Sequence, residues 1–338
     1  MLTEDALEER MSQPGAADVA FARQLEGDVA ILGVGGKMGP TLARLLRRSL
    51  DEAGKKNRVY GVARFSEPGV AEKLRSQGID PIVCDLMERD QLASLPDAVN
   101  VIYMAAKKFG TTGAEHLTWA MNTQLPALVA ERYRSSRIVC FSSGNVYPLM
   151  PVTSGGATET TPPEPRGEYA QSVLGRERIF ENAAHRWGTK SCMLRLNYAV
   201  ELRYGVLADI ARSVFEEKPV DVRMPLVNVI WQGDANSVAI RSLAICEAPA
   251  RILNLTGPET LSTRWLAQRF GAIFQKPVHI QHEEGDIALL NNASQCHRLF
   301  GYPRVTLREL MEWTAEWIQA GGRSSNKPTH FQAGDGKF

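Results

Sequence analysis

The chain has 338 residues, with 39 basic and 38 acidic side chains and a formal net charge of +1. This balance provides no excess of positive charge for nucleic acid or an anionic membrane, so we expect a small molecule as the partner. Five scattered cysteines without ligand-like spacing indicate a reduced, cytoplasmic protein that holds no metal. We also expect no signal peptide and no membrane span, because the first residues are acidic and long apolar runs are absent from the sequence.

The predicted elements begin with a short helical extension over residues 1–26, which breaks at Pro14 and Gly15. Apolar runs then alternate with helical segments, as the buried strands of a parallel sheet do. This pattern predicts an α/β fold with a Rossmann-type doubly wound parallel sheet over residues 27–200. The predicted strands cover residues 29–32, 58–63, 80–85, 101–105, 137–141 and 193–196.

The second half of the chain predicts a smaller C-terminal substrate lobe over residues 201–320. A polar tail follows over residues 321–338. The apolar periodicity changes to that of helices in this half, and the strands become short. The elements expected in the lobe are helices at 207–217, 238–246 and 262–274 and short strands near Val227 and Ile252.

The segment GVGGKMG, residues 33–39, follows the first predicted strand and opens a helix. Its three spaced glycines permit a tight turn and a close approach of the backbone to a pyrophosphate, which a helix N-terminus also attracts. Such a turn can be purely structural, but its place at the start of a βα series favours dinucleotide binding. The residues expected at this site are Gly33, Gly36, Lys37, Met38, Gly39, Asp85, Leu86, Ala105 and Ala106.

The end of the second predicted strand bears on the choice between NAD and NADP. NAD sites usually carry an acid there, whereas this chain has Ala63 followed by Arg64. A guanidinium can hold the 2′-phosphate of NADP, so the sequence slightly favours NADP over NAD. The alternative is that Arg64 is a solvated loop residue.

Several further segments match a known pattern: residues 101–106, Trp119 and Asn122, the run FSSGNVY at 141–147, and residues 169–177. Together with the glycine loop they resemble the extended short-chain dehydrogenase/reductase family, which includes NAD-dependent sugar epimerases and dehydratases. The resemblance runs from about residue 28 to residue 301, and it implies a cofactor-dependent enzyme that often forms homodimers.

The resemblance also assigns roles to individual residues. Ser143 would hydrogen-bond the reacting carbonyl or hydroxyl, and Tyr169 would exchange its proton beside the cofactor. Asn122 would support the helix and a proton-relay water. In relatives, a lysine four residues after the tyrosine lowers the phenol pKa from about 10 and holds the nicotinamide ribose. This chain has Val173 at that position.

Three explanations of the valine remain open at this point. A substitute cation can come from Arg176, which lies on the same helical face as Tyr169, or from Lys107 and Lys108 after the fourth strand. Alternatively, the chemistry needs no strong base. Finally, the protein is a non-catalytic dinucleotide-binding regulator or interaction protein.

The substrate segment departs from the family as well. Residues 218–234 lack the glycine turn that nucleotide-sugar enzymes carry there. We therefore expect an oxidoreductase or epimerase that acts on a small polyol, sugar, sugar acid or related carbonyl compound rather than a nucleotide sugar. Core packing is an equally good explanation for one candidate, Trp231. The candidate substrate contacts are Ser143, Asn145, Asn197, Tyr198, Trp231 and Gln232.

Overall fold

A computed structural model describes residues 3–108, 113–327 and 329–333. A π-helical turn over Ala120–Gln124 joins two of its helices, and short 3₁₀ turns cover Gly144–Val146 and Ser242–Ile245. The helices are α1 (Glu4–Met11), α2 (Ala16–Gln24), α3 (Gly39–Glu52), α4 (Val70–Ser76), α5 (Arg89–Ala93), α6 (Glu115–Trp119), α7 (Leu125–Arg132), α8 (Gly167–Trp187), α9 (Val206–Phe215), α10 (Gln232–Arg241), α11 (Thr263–Phe274), α12 (Ser294–Phe300) and α13 (Leu307–Gln319).

The strands fall into one large sheet and several two-stranded pairs. They are β1 (Val29–Leu32), β2 (Val59–Ala63), β3 (Asp80–Val83), β4 (Asn100–Tyr103), β5 (Arg137–Ser143), β6 (Met150–Pro151), β7 (Ser191–Leu196), β8 (Ala199–Val200), β9 (Val220–Asp221), β10 (Leu226–Val227), β11 (Ile230–Trp231), β12 (Arg251–Leu255), β13 (Leu261–Ser262), β14 (Ile280–Gln281) and β15 (Ile287–Ala288).

The large sheet has seven parallel strands in the order β3, β2, β1, β4, β5, β7 and β12. The strand order reverses between β1 and β4, and the carboxyl ends of all seven strands lie at one edge. In doubly wound sheets, ligands bind at this switch point. The prediction of a Rossmann-type α/β fold is confirmed.

The strand expected near Ile252 is real but belongs to a different part of the molecule. We assigned it to the substrate lobe, which is wrong, because β12 pairs in parallel with β7 and places Ile252 opposite Met193. Leu253 and Leu255 of this strand are fully buried in the main core. A short apolar run predicts a buried strand, but its partner strand is determined by contacts distant in sequence.

The N-terminal helix α1 packs across both halves of the molecule. Its apolar residues Leu7 and Met11 are buried in the core of the substrate lobe together with Trp231. Its acidic face forms ion pairs with Arg44 and Arg48 of α3, and also with Arg203. Within the described part of the chain, no helix has the length and apolar content needed to cross a membrane.

Candidate active site

A cleft with about 850 Å³ of empty space lies at the switch point, between the glycine loop and the ends of β2, β3 and β4. It contains most of the residues that the sequence assigned to the dinucleotide. Those that line it are Gly33, Gly36, Arg64, Asp85, Leu86, Ala105 and Ala106. We refer to this space as the cofactor cleft.

The three glycines of the loop serve different purposes. Gly33 has a φ of +90°, and a Cβ atom there would lie 2.6 Å from the backbone nitrogen of Ala105. A Cβ at Gly39 would lie 2.1 Å from the carbonyl oxygen of Val34. A Cβ at Gly36 would meet only the carbonyl oxygen of Gly33, at 3.4 Å. The fold requires the first and last glycines, whereas Gly36 leaves open space in which a pyrophosphate fits against the backbone.

Arg64 stands at the far end of the cofactor cleft. Its side chain is 69% exposed, and Nη1 lies 3.8 Å from Oδ2 of Asp85. The guanidinium is therefore free to move toward a bound anion at this edge, while the Asp85 carboxylate lies close enough to compete for it.

A second cavity adjoins the first and has about 1000 Å³ of empty space. We call it the catalytic cavity. Lys37, Met38 and Gly39 of the loop line it on one side. It also brings together the residues Ser143, Asn145, Tyr169, Asn197 and Tyr198, as the sequence predicted.

Ser143 and Tyr169 form the polar centre of this cavity. Their side chains share a hydrogen bond, and both residues are more than nine-tenths buried. Burial raises the pKa of Tyr169, while the Arg176 charge and the Ser143 hydrogen bond partly oppose the increase. A cation close to the phenol would favour its ionised form.

Val173 provides no such cation. It is fully buried in a small apolar cluster that also contains Val146, Tyr147 and Tyr169. Lys108 is better placed, because its Nζ atom lies 5.8 Å from the ring centroid of Tyr169 on the cavity wall. Desolvation lowers the pKa of Lys108 to about 8.

The Arg176 guanidinium lies behind Tyr169, between α8 and the sheet. It donates hydrogen bonds of 2.7 Å to the carbonyl oxygen of Phe141 and to Oδ1 of Asn122. The Asn122 amide, carried by the π-helical turn, also bonds both backbone polar groups of Lys107 and the hydroxyl of Ser172. Arg176 and Asn122 therefore fix the relative positions of β4, β5 and α8, and Arg176 acts on the phenol only through its charge.

A buried ion pair joins Arg195 of β7 to Glu177 of α8. Nη2 of Arg195 is 2.6 Å from Oε2 of Glu177, and its Nε donates to Oε1 at 2.9 Å. Ser142 also donates to this carboxylate. The side chains of both ions are at most 4% exposed, so the pair connects β7 to α8 out of contact with water.

Two of the expected substrate residues lie elsewhere. Trp231 is 2% exposed and packs edge to face against Trp313, with ring centroids 5.7 Å apart, in the core of the substrate lobe. Gln232 is fully buried, and its amide donates to Thr41 and Met11. The segment runs along the contact between α1, α3 and α10, so neither side chain reaches the catalytic cavity.

The catalytic cavity also contains residues that the sequence analysis missed. Tyr204 and Gly205 precede α9, and Thr329 arrives from the C-terminal tail. The Thr329 hydroxyl and backbone nitrogen both donate to Asp209 of α9. No local motif marks these positions, because chain segments far apart in sequence bring them together.

Lys37 takes an unexpected direction. Its Nζ atom donates to the carbonyl oxygen of Ala199 at 3.2 Å and lies 3.9 Å from the ring centroid of Tyr204. The residue as a whole borders the open cavity, but its amine is deep enough for desolvation to lower its pKa to about 7, against the opposing charge of Glu201. The glycine-loop lysine thus reaches the substrate lobe.

Comparison with known proteins identifies the family of this chain. The sequence pattern of the NAD dependent epimerase/dehydratase family matches residues 29–204, just over half of the chain. The chain belongs to this family. It is therefore an enzyme of the extended short-chain dehydrogenase/reductase type, with NAD(P) as its cofactor. A search of curated protein sequences gives no match.

Solved structures share the fold at low sequence identity. UDP-glucose 4-epimerase from Thermus thermophilus, in complex with NAD, has a TM-score of 0.70 and 19% identity, covering 86% of this chain and 99% of that chain. The Thermotoga maritima UDP-glucose 4-epimerase with UDP-glucose has a TM-score of 0.70 and 16% identity over 87% and 99%. A short-chain dehydrogenase/reductase superfamily protein from Agrobacterium tumefaciens with bound NAD has a TM-score of 0.71 and 16% identity over 86% and 97%.

Family membership bears on one of the three explanations raised by the sequence. It supports an enzyme, so the non-catalytic regulator is not retained. One of these structural neighbours binds UDP-glucose, which conflicts with our expectation of a substrate other than a nucleotide sugar. No cluster of His, Cys, Asp or Glu suited to a metal ion is present in residues 3–108, 113–327 and 329–333.

Proposed function

We propose that the protein is an NAD(P)-dependent oxidoreductase or epimerase that acts on a hydroxyl or carbonyl group of a carbohydrate-like compound through an atypical active site. The observation that carries this proposal is the hydrogen-bonded pair of Ser143 and Tyr169 on the wall of a large cavity that adjoins the cofactor cleft. The proposal does not retain the exclusion of nucleotide sugars.

The two hydroxyl groups divide the work at the substrate oxygen. The bound nicotinamide supplies hydride acceptance and return. Ser143 orients the oxygen by a hydrogen bond, and Tyr169 takes the hydroxyl proton during oxidation and gives it back during reduction. The backbone nitrogen of Asn145 donates to the Ser143 hydroxyl at 3.2 Å, which helps to fix that side chain.

Lys108 takes over the electrostatic role of the usual lysine. Burial alone raises the pKa of Tyr169, so proton transfer needs a nearby positive charge. Among the three candidate cations, Lys108 has the side chain that lines the catalytic cavity. Arg176 is committed to Phe141 and Asn122, so its charge lowers the pKa of the phenol from a fixed position outside the cavity. The link between Lys107 and Asn122 is made by the Lys107 backbone.

We also propose a cofactor preference, an oligomeric state and a domain boundary. The exposed Arg64 at the end of the cofactor cleft supports a preference for NADP, whose 2′-phosphate it can approach. We also propose a homodimer in the cytoplasm, as the family resemblance implies, and a division at residue 200 between the dinucleotide-binding domain and the substrate lobe.

The test compares Tyr169→Phe with the wild type and with Tyr133→Phe as a matched control. Tyr133 is also buried, and its hydroxyl bonds the carbonyl of Pro96 rather than a group in the cavity. A panel of polyols, sugars, sugar acids and UDP-sugars is incubated with NAD or NADP, with absorbance at the reduced-nicotinamide band and product chromatography as readouts.

For any compound that the wild type converts, Tyr169→Phe should lower turnover by about 100- to 10,000-fold, the usual effect of losing a positioned acid or base. The control variant should retain wild-type turnover, and both variants should bind NADH normally. Unchanged turnover in Tyr169→Phe would show that another residue transfers the proton.

A further inference from the structure

The charged side chains that line the catalytic cavity, among the described residues, are of one sign. Among the described residues that line it, Lys37 and Lys108 carry ionisable ammonium groups, and no Asp or Glu side chain is present on the wall. Polar and apolar residues form the remaining surface. The cavity is therefore an electropositive space with walls of low polarity, which strengthens attraction for an anion.

Lys37 faces this cavity rather than the cofactor cleft. Its backbone belongs to the glycine loop, but its ammonium group rests against Ala199 and the ring of Tyr204, both in the segment that leads into the substrate lobe. The residue is absent from the described lining of the cofactor cleft. The Lys37 ammonium group is therefore positioned to contact a substrate in the catalytic cavity rather than the dinucleotide.

The acid that acts on Lys37 is shared with another cation. Glu201 attracts Lys37, but its carboxylate is already bonded to the guanidinium and backbone nitrogen of Arg203. Arg203 is itself paired with Glu4 and Glu8 as well as Glu201, so it offsets acidic charge and adds no uncompensated positive charge near Lys37. Lys37 and Lys108 also repel each other, since each charge lies within the electrostatic range of the other. A bound anion would remove this repulsion.

The N-terminus of helix α9 adds a partial positive charge to the wall of the catalytic cavity. Helix α9, ten residues long, begins directly after Gly205, which lines the cavity with a φ of +126°. The first backbone N–H groups of a helix carry a partial positive charge. The two lysines and this helix end thus border the same cavity as Tyr169.

We infer that the substrate carries an acidic group, a carboxylate or a phosphate, and that Lys37 and Lys108 bind it beside the reacting carbon. This inference rests on the proposed function and specifies its substrate class. Lysine suits either group, because an ammonium is a compact charge with three donors and imposes no planar geometry. The acidic group has two sources, the carboxylate of a sugar acid and the phosphate of a sugar phosphate or nucleotide sugar.

The test measures direct binding by calorimetry in the presence of saturating NADH. Three pairs are compared: glucuronate with glucose, glucose 6-phosphate with glucose, and UDP-glucuronate with UDP-glucose. The first two pairs identify a carboxylate or phosphate on the sugar ring. Tight binding of UDP-glucose without binding of either ring-substituted sugar would identify the diphosphate.

The variants are Lys37→Met and Lys108→Met, with Lys37→Arg and Lys108→Arg to conserve the charge. Lys56→Met is the matched control, because Lys56 is exposed and precedes β2 at the opposite edge of the sheet. Thermal unfolding of every variant is measured first, which identifies any variant that has lost its fold, and NADH affinity is measured on the same samples.

We expect glucuronate, glucose 6-phosphate or UDP-glucose to bind at least about 10-fold more tightly than glucose. Each methionine variant should lose about 10- to 100-fold in affinity for that anion, the effect of removing one charge-assisted hydrogen bond. The arginine variants keep the charge but not the compact ammonium group, so they should lose less affinity than the methionine variants. Lys56→Met should bind like the wild type to within about threefold. The inference is wrong if no anion of the panel binds, if glucose binds as tightly as its anionic derivatives, or if both methionine variants keep wild-type affinity. Failure of the wild type to bind NADH would instead contradict the proposed function.

Discussion

Substitutions in the glycine loop should separate a requirement of the fold from a requirement of the cofactor. Gly36→Val introduces a side chain where the nearest atom is 3.4 Å away and no positive φ is needed. We expect its free energy of unfolding to stay within about 1 kcal/mol of the wild type, a shift in Tm of roughly 2 °C for a chain of this size. The same side chain occupies the space against which a pyrophosphate would lie, so affinity for NADH should fall by at least about 100-fold, or about 3 kcal/mol.

Gly39→Ala should have the opposite result. Its Cβ would lie 2.1 Å from the carbonyl oxygen of Val34, which is backbone and cannot rotate away. Displacing the turn between β1 and α3 should cost about 3 kcal/mol or more and lower Tm by roughly 5 °C or more. Gly33→Ala should be similarly costly, because it adds the strain of a left-handed backbone to a 2.6 Å contact.

Thermal unfolding followed by circular dichroism and NADH fluorescence titration on the same samples distinguish the two outcomes. A Gly36→Val protein that binds NADH like the wild type would place the cofactor elsewhere. A Gly36→Val protein that unfolds as readily as Gly39→Ala would contradict the assignment of separate roles.

Three other predictions concern the cofactor, the core and the pH profile. Arg64→Ala should weaken NADP by about 1.5–3 kcal/mol with less effect on NAD, and a wild type that binds NAD more tightly in calorimetry would reverse the proposed preference. Arg195→Met leaves the Glu177 carboxylate buried without its partner, so it should lower the free energy of unfolding in urea by about 3–5 kcal/mol. Adding Glu177→Leu should restore much of this stability, and equal stability of the single and double variants would argue against the role of this pair. Burial raises the pKa of Tyr169 and the Arg176 charge lowers it. A positive charge on Lys108, 5.8 Å from the ring centroid of Tyr169, would lower this pKa further, so Lys108→Met should move the alkaline limb of the pH–rate profile to higher pH, and an unmoved limb would exclude such a role for Lys108.

Local patterns in the sequence were sufficient for much of the fold and the cofactor cleft. The glycine loop lies where the pattern predicted, because its function depends on a strand, a turn and a helix that are adjacent in sequence. Ser143 and Tyr169 meet because β5 and the start of α8 reach the same edge of the sheet. The prediction for Trp231 failed because an aromatic residue near a strand end gives no information about which surface covers it.

The path of a long side chain is harder to predict than the position of its backbone. The helical spacing predicted that Arg176 faces Tyr169. Its guanidinium instead donates hydrogen bonds to the carbonyl oxygen of Phe141 and to Oδ1 of Asn122. Lys37 was assigned to the cofactor from its place in the loop, but its amine crosses to Ala199. Both directions depend on acceptors contributed by other segments of the chain, which no local periodicity encodes.

The packing of α1 has a practical consequence for anyone choosing boundaries for recombinant expression. The family match begins at residue 29, so a protein trimmed to that limit would lack this helix entirely. Trimming would remove Leu7 and Met11 and so uncover the apolar surface around Trp231. It would also remove the carboxylate of Glu4 from Arg203, which directly precedes Tyr204, the residue whose ring lies against Lys37. A shortened protein would therefore expose an apolar surface and would lose part of the support of the catalytic cavity wall. Its stability and activity would not represent those of the whole chain.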